Sequence, residues 1–95
     1  MKMMDCVEVI VEKERYVKYG VHKGMQGWIC LDEKVNGTWL VNFPQCGEND
    51  DIATLSIKEY DLRLLPNGMN AAINEKIKAE FEKGEGKEDI SDYLV

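Results

Sequence analysis

The residues best suited to chemistry lie in one polar stretch, residues 13–24. Four cations oppose one acid there, which gives the stretch a net charge of +3. Aromatic rings alternate with these charges, and the set consists of Lys13, Glu14, Arg15, Tyr16, Lys18, Tyr19, His22 and Lys23. Basic residues interleaved with aromatic rings hold a phosphate backbone and stack bases in single-strand and RNA binders. The alternative is a solvated loop whose lysines balance acids elsewhere, since unfocused cations give weak, salt-sensitive affinity.

No arrangement in the sequence points to catalysis or to a metal. There is no nucleophile elbow and no phosphate-binding glycine loop. The single histidine, His22, has no second ligand at zinc-site spacing and no partner for general base chemistry. Asp50 and Asp51 are adjacent acids in a turn, which are usually solvated rather than bound to a hard cation. The sequence therefore predicts a protein that is not an enzyme and that uses no cofactor or metal.

Composition places the chain among globular proteins. Its 95 residues are 44% hydrophobic and 32% charged, which suits one folded domain. The net charge of -6 repels the phosphates of nucleic acids and of anionic membranes, so any such contact must be local. No membrane association is expected. The charge argues more for a protein partner than for nucleic acid.

The cysteines and the start of the chain favour a cytoplasmic protein. Cys6, Cys30 and Cys46 are odd in number and widely spaced, which fits thiols that stay reduced. Residues 1–5 lack the apolar core of a signal peptide, and no apolar run reaches the length of a membrane span.

Five short strands are expected in the first two thirds of the chain. Alternating polarity, β-branched residues and turn signals predict strands at residues 7–11, 26–32, 38–43, 51–55 and 62–65. Ser56 and Glu59 have capping-box spacing, which predicts a single helical turn between the last two strands. Five short strands are too few for a two-sheet sandwich but can close into a small barrel over residues 1–66, which removes most exposed edges.

The register of the central hairpin has two alternatives. A two-residue Asn36-Gly37 turn would place Trp28 on the same face as Val41, whereas a three-residue loop with Gly37 in the left-handed region would place Ile29 there. We favour the second, which puts Ile29 and Leu31 inside with Trp39, Val41 and Phe43. The outer face then carries Trp28, Cys30, Leu40 and Asn42, a mixed set suited to partial exposure.

The last third of the chain predicts a helix and a tail. Within the segment 67–84, Asn70 can cap a helix whose apolar positions recur at Ile73, Ile77 and Phe81 and which ends at Gly84. Such a short helix is marginal alone, so its stripe should dock on the barrel or on a partner. Residues 85–95 are predicted to form an acidic, flexible tail that ends in apolar residues. The helix or the tail could also pair two copies in a homodimer.

Two families share sequence features with this chain. Residues 21–29, Val-His-Lys-Gly-Met-Gln-Gly-Trp-Ile, are followed by Trp-Leu-Val-Asn-Phe at 39–43 and Tyr-Asp-Leu at 60–62. Over residues 6–65 this pattern resembles a small bacterial SH3-like barrel family of unknown function, with its Gly-x-x-Gly-x-Ile/Val segment and Val-x-Phe strand. The segment at residues 23–27 is also similar to the KOW motif of ribosomal and transcription-elongation proteins, although those domains are commonly basic. The helix and tail lie outside both resemblances.

These resemblances imply an all-β, five-stranded SH3-like barrel with two alternative functions. In SH3-like barrels the long first loop frames an aromatic groove, which would bind a protein partner through Arg15, Tyr19 and Trp28, with Tyr16 and Tyr60 beside them. Such a non-enzymatic interaction module would suit a regulator or a toxin-neutralising partner. The KOW resemblance implies instead an RNA- or ribosome-associated protein that uses the basic loop 13–23, with Arg15, Lys18 and Lys23 as its cations.

Overall fold

All five strands belong to one antiparallel sheet in the order β4-β3-β2-β1-β5. The computed structural model describes residues 1–45 and 51–87. The elements are β1 (Cys6–Val9), α1 (Glu14–Val17), β2 (Gln26–Ile29), β3 (Thr38–Phe43), β4 (Ala53–Lys58), a 3-10 turn (Glu59–Asp61), β5 (Leu62–Leu64) and α2 (Ala71–Lys87). No ladder joins β4 to β5 within the described ranges, so the sheet is a curled half-barrel. Residues 46–50, and residues 88–95 of the predicted tail, lie outside the described residues.

The helical structure differs from the prediction in three places. A helical turn lies between the last two strands as predicted, but it is the 3-10 turn Glu59–Asp61. Ser56 does not begin it, because Ser56 pairs with Leu40 inside β4, which continues to Lys58. Pairing with β3 satisfies the backbone groups of Leu55 and Ile57, the neighbours of Ser56. The stretch 13–24, expected as a loop, contains the short helix α1. Finally, α2 does not end at Gly84 but continues to Lys87, since glycine weakens a helix by only about 1 kcal/mol.

The faces of the central hairpin agree with the prediction. Ile29 pairs with Val41, and Trp28 pairs with Asn42. Ile29 and Val41 are fully buried, whereas Trp28 is only half-buried on the opposite face. The inner face therefore belongs to the aliphatic side chains.

The turn that produces this register differs from the prediction. Val35 and Thr38 exchange two backbone hydrogen bonds of 2.9 Å, and Asn36 and Gly37 both have positive φ. This is the two-residue turn, whose left-handed backbone matches the twist of the strands. The three-residue loop is wrong. The strand pairing shifts within residues 31–34 and not at the turn, since Ile29 pairs with Val41 but Val35 pairs with Thr38. Leu31, predicted on the inner face, is exposed.

One hydrophobic core fills the concave side of the sheet. Each strand contributes to it, and α1 adds a tyrosine from the side. Trp39 and Phe43 are buried there. The core consists of Val7, Val9, Tyr16, Val21, Met25, Ile29, Trp39, Val41, Phe43, Ile57 and Leu62. None of the described helices is long and apolar enough to cross a membrane.

Helix α2 docks on the sheet through an asparagine that the sequence pattern did not single out. The Asn70 side chain accepts a hydrogen bond from the Ala72 N–H and caps the helix, as predicted. Asn74 is fully buried; its amide donates to the carbonyls of Gln26 and Pro44 at 2.7 and 2.8 Å and accepts from the Gln26 N–H at 2.7 Å. In the β2–β3 register Pro44 lies opposite Gln26 and has no N–H to offer. Asn74 therefore completes the pairing where the two strands end.

We expect Asn74→Ala to lower the free energy of unfolding by about 2 kcal/mol, because three backbone groups lose their partners. Urea unfolding followed by circular dichroism measures this loss. Lys76→Ala on the exposed side of α2 is the matched control and should change stability by less than about 0.5 kcal/mol. Equal stability of the two variants would show that Asn74 does not hold the helix in place.

Candidate binding groove

A groove of about 480 Å³ runs between α1 and the outer edge of β4, and we call it the α1–β4 groove. One wall is α1 with the basic and aromatic residues that follow it, and the other wall is β4, an edge strand of the sheet. Its lining contains two cations and no acid among the described residues: Arg15, Tyr16, Lys18, Tyr19, Ala53, Thr54, Leu55 and Ser56. Four of the seven binding residues expected from the sequence therefore lie in one place.

Tyr16 fixes α1 against the sheet. Its ring is 1% exposed, and its hydroxyl donates to Asp61 Oδ2 at 2.7 Å. The same hydroxyl accepts from the backbone N–H of Lys58 at 3.2 Å, which is the last residue of β4. A helix of four residues is not stable alone. Tyr16 thus provides the tertiary contact that holds α1 beside β4 and so forms the groove.

Asp61 is the charged centre of this anchor. It is 2% exposed, and Lys13 Nζ contacts its Oδ2 at 2.8 Å. Burial acts to raise the pKa of Asp61, but the hydrogen bonds from Lys13 and Tyr16 outweigh it and lower that pKa below its ordinary value. Burial is the largest cause that raises the pKa of the Tyr16 hydroxyl, and the hydrogen bond to Asp61 raises that pKa further. The carboxylate therefore stays charged and the phenol neutral at neutral pH.

The structure corrects the expected exposure of Tyr16. The sequence interpretation places it beside a partner as a displayed ring, but it belongs to the core and forms the floor of the groove. Its hydrogen bonds to Asp61 explain the burial, since a buried phenol needs a partner. The exposed aromatic residue of this wall is Tyr19, which is 57% accessible, with the Lys18 ammonium 5.4 Å from its ring centre.

The other three expected residues lie outside the groove lining. Trp28 is half-buried on the outer face of the sheet, between Cys6 and Asn42. The side chain of Lys23 is exposed, and its backbone N–H donates to a carboxylate oxygen of Glu12 at 2.6 Å. Tyr60 is 70% exposed on the 3-10 turn. The structure therefore does not bring Trp28 and Tyr19 together as one aromatic groove.

Tyr60 nevertheless belongs to the same end of the molecule as α1. The ammonium groups of Lys13 and Lys58 lie 5.3 and 5.9 Å from its ring centre. Lys13 is the N-cap residue of α1, and Lys58 ends β4. Both positions are within the range of cation–π attraction. Tyr60 is therefore an exposed ring next to the residues that anchor the groove.

A second depression, of about 420 Å³, shares Lys18 and Tyr19 with the groove and reaches toward α2. His22 lies in it, stacked on Phe81 with ring centres 3.6 Å apart. His22 Nδ1 is 2.7 Å from a carboxylate oxygen of Glu12, which places it in a polar contact as well. Burial acts to raise the pKa of Glu12, but hydrogen bonds from His22 and Lys23 lower it overall. The stacking of His22 on Phe81 joins the basic stretch to α2. The sequence did not predict it, because the two residues are far apart in the chain.

Comparison with protein-family models, curated proteins and solved structures found no match. The SH3-like and KOW resemblances therefore remain predictions from the sequence. Within residues 1–45 and 51–87, no group of three or more His, Cys, Asp or Glu side chains is placed to hold a metal ion. What the described groove offers chemically is two cations, an exposed tyrosine and the backbone of a strand edge.

Proposed function

We propose that the protein is a non-enzymatic protein-interaction module, related to SH3-like barrels, that binds its partner in the α1–β4 groove. The observation that carries the proposal is the convergence of Arg15, Lys18 and Tyr19 on one groove whose other wall is a strand edge. Arginine and tyrosine are enriched where proteins bind each other, because they bury large area at low entropic cost. Regulation or neutralisation of a cytoplasmic partner, as in a toxin–antidote pair, would fit such a module.

A protein suits this groove better than RNA does. Tyr16 is buried and cannot stack on a base, and the Lys13 charge is engaged by Asp61. RNA binding through the stretch 13–23 would therefore rest on Arg15, Lys18 and Lys23 against a net charge of -6. Each phosphate contact contributes only a salt-sensitive term. The KOW-like alternative thus has fewer groups available than the sequence suggested.

The test is affinity capture from lysate with a groove variant and a charge-matched control. Lys18→Glu with Tyr19→Ala alters the exposed wall of the groove. Lys76→Glu with Leu64→Ala reverses one charge and truncates one exposed apolar side chain outside the lining. We expect the groove variant to lose at least about 90% of the captured partner, which corresponds to about 1.4 kcal/mol or more, and the control to retain it.

Two results would contradict the proposal. The first is equal recovery of the same proteins by both double variants. The second is loss of the captured material after ribonuclease treatment, together with steep weakening at higher salt, which would favour the RNA-binding alternative. Thermal unfolding of both variants serves as the folding control, because these exposed side chains should change stability by less than about 0.5 kcal/mol each.

A further inference from the structure

The outer edge of β4 presents backbone hydrogen-bonding groups to the groove. In an antiparallel ladder, residues alternate between those that bond to one neighbour and those that bond to the other. The Cys30 N–H donates to the Leu40 C=O. The even-numbered residues of β3 therefore direct their backbone N–H and C=O groups toward β2. The odd-numbered residues of β3 direct their backbone groups toward β4. Val41 is opposite Leu55, so the odd-numbered residues of β4 bond to β3. It follows that Thr54, Ser56 and Lys58 direct their N–H and C=O groups away from the sheet.

The structure itself shows that this edge accepts hydrogen-bond partners. The outward N–H of Lys58 donates to the hydroxyl of Tyr16. No hydrogen bond within the described chain engages the outward N–H or C=O groups of Thr54 and Ser56. Both residues line the α1–β4 groove. A strand laid in the groove could therefore form four main-chain hydrogen bonds with them.

The charge of the groove indicates which strand would fit. Arg15 and Lys18 line the side formed by α1, and the described lining contains no acid. Tyr16 packs in the core with Val41 and Ile57, so α1 lies on the inner side of the sheet. Side chains of a strand alternate between its two faces. Every second side chain of an added strand would therefore point toward α1 and its cations.

We propose that the groove binds an extended, acidic peptide segment of the partner by adding it as an antiparallel sixth strand to β4. This inference rests on the proposed function and specifies its mode of recognition. Main-chain hydrogen bonds to Thr54 and Ser56 give affinity, and carboxylates at alternate positions pair with Arg15 and Lys18.

The probe is a blocked ten-residue peptide in which glutamate alternates with valine, measured by fluorescence anisotropy. In antiparallel addition the valines lie opposite Thr54 and Ser56 on the outer face, and their N–H groups face β4. N-methylation of the valines should therefore weaken binding by at least about tenfold, because at least two hydrogen bonds of roughly 1 kcal/mol are lost. N-methylation of the glutamates, whose N–H groups point away, should leave the affinity within about threefold on the same hydrogen-bond reasoning. Replacing every glutamate by lysine should abolish binding.

Several results would overturn strand addition. These are no binding of the glutamate–valine peptide at millimolar concentration, equal effects of the two methylated peptides, or tighter binding of a uridine oligonucleotide than of the peptide. A further one is protection of the Thr54 and Ser56 amides from hydrogen exchange in the free protein. If truncation after Lys87 removes that protection, the chain's own tail occupies the edge; if dilution removes it, a second copy does.

The variant Ser56→Pro separates this inference from the proposed function. Proline removes one outward N–H and leaves the β3 ladder intact, and edge strands tolerate it. If a partner is lost with Lys18→Glu and Tyr19→Ala but retained by Ser56→Pro, the groove binds it without strand addition. We expect Ser56→Pro to weaken the peptide by about fivefold or more, the effect of one lost hydrogen bond. The methylated peptides provide the same test on the unaltered protein.

Discussion

Asp61→Ala should lower the free energy of unfolding by about 3 kcal/mol, because it removes the acceptor of two buried or half-buried donors at once. The Tyr16 hydroxyl and the Lys13 ammonium both converge on Asp61 Oδ2. Without the carboxylate, the phenol loses its acceptor inside the core and α1 loses its anchor. Chemical denaturation measures the loss. Asp32→Ala, at an exposed aspartate, should cost less than about 1 kcal/mol and serves as the control.

The Asp61 contribution should also depend on pH. Because the pKa of Asp61 is lower in the folded protein than its ordinary value of 3.8, its stabilising effect is present above about that pH. It is lost as the pH falls through the folded pKa. The difference in stability between the wild type and Asp61→Ala should therefore be constant from pH 5 to 7 and shrink below about pH 4. A difference that persists undiminished at lower pH would contradict an ionised Asp61 as the centre of the anchor.

Gly27→Ala should lower the free energy of unfolding by more than about 3 kcal/mol, or the melting temperature by about 12 °C or more. A Cβ at this position would lie 2.1 Å from the carbonyl oxygen of Asn42 and 3.0 Å from a methyl carbon of Val41. Gly27 is in β2 beside β3, so relief of the collision requires the two strands to separate. Differential scanning calorimetry measures the shift.

Gly68→Ala distinguishes a steric collision from backbone strain. Gly68 has a φ of +94° but no atom within 4 Å of an added Cβ, so this variant reports the left-handed backbone alone. Its cost should be about 1 to 2 kcal/mol. If Gly27→Ala proves no more harmful than Gly68→Ala, the two strands do not approach each other as closely as the structure indicates.

Local patterns in the sequence were sufficient for the sheet-rich fold. Thr38–Phe43 has the bounds that alternation predicts, and the cap at Asn70 begins α2. These features depend on neighbours a few residues apart. The hairpin faces were also predictable, because a one-residue slip would expose Ile29. The shift of strand pairing within residues 31–34 was not predictable, because these residues show no regular alternation of polar and apolar side chains.

The groove was predictable in composition but not in geometry. The alternation of basic and aromatic residues identified Arg15, Lys18 and Tyr19, which the structure brings together. It could not show that Tyr16 is buried, because the acceptor of its hydroxyl, Asp61, lies 45 residues further along the chain. For the same reason, the β4 wall and its outward backbone groups follow only from the strand order.

Asn74 shows a signal that sequence analysis could have used. Asparagine is a poor helix former, and here it lies between the apolar positions Ile73 and Ile77. A polar side chain within an apolar stripe must find partners when the stripe docks. Its partners are backbone groups of Gln26 and Pro44, which no side-chain pattern records.

Site-specific photo-crosslinking tests the central claim, that the α1–β4 groove binds a protein partner, most directly. A benzophenone amino acid replaces Tyr19, whose ring is exposed. We expect a discrete protein adduct from position 19 in cells, absent when Lys18→Glu is added and retained with Lys76→Glu. No protein adduct from position 19, or one that persists unchanged with Lys18→Glu, would contradict the claim.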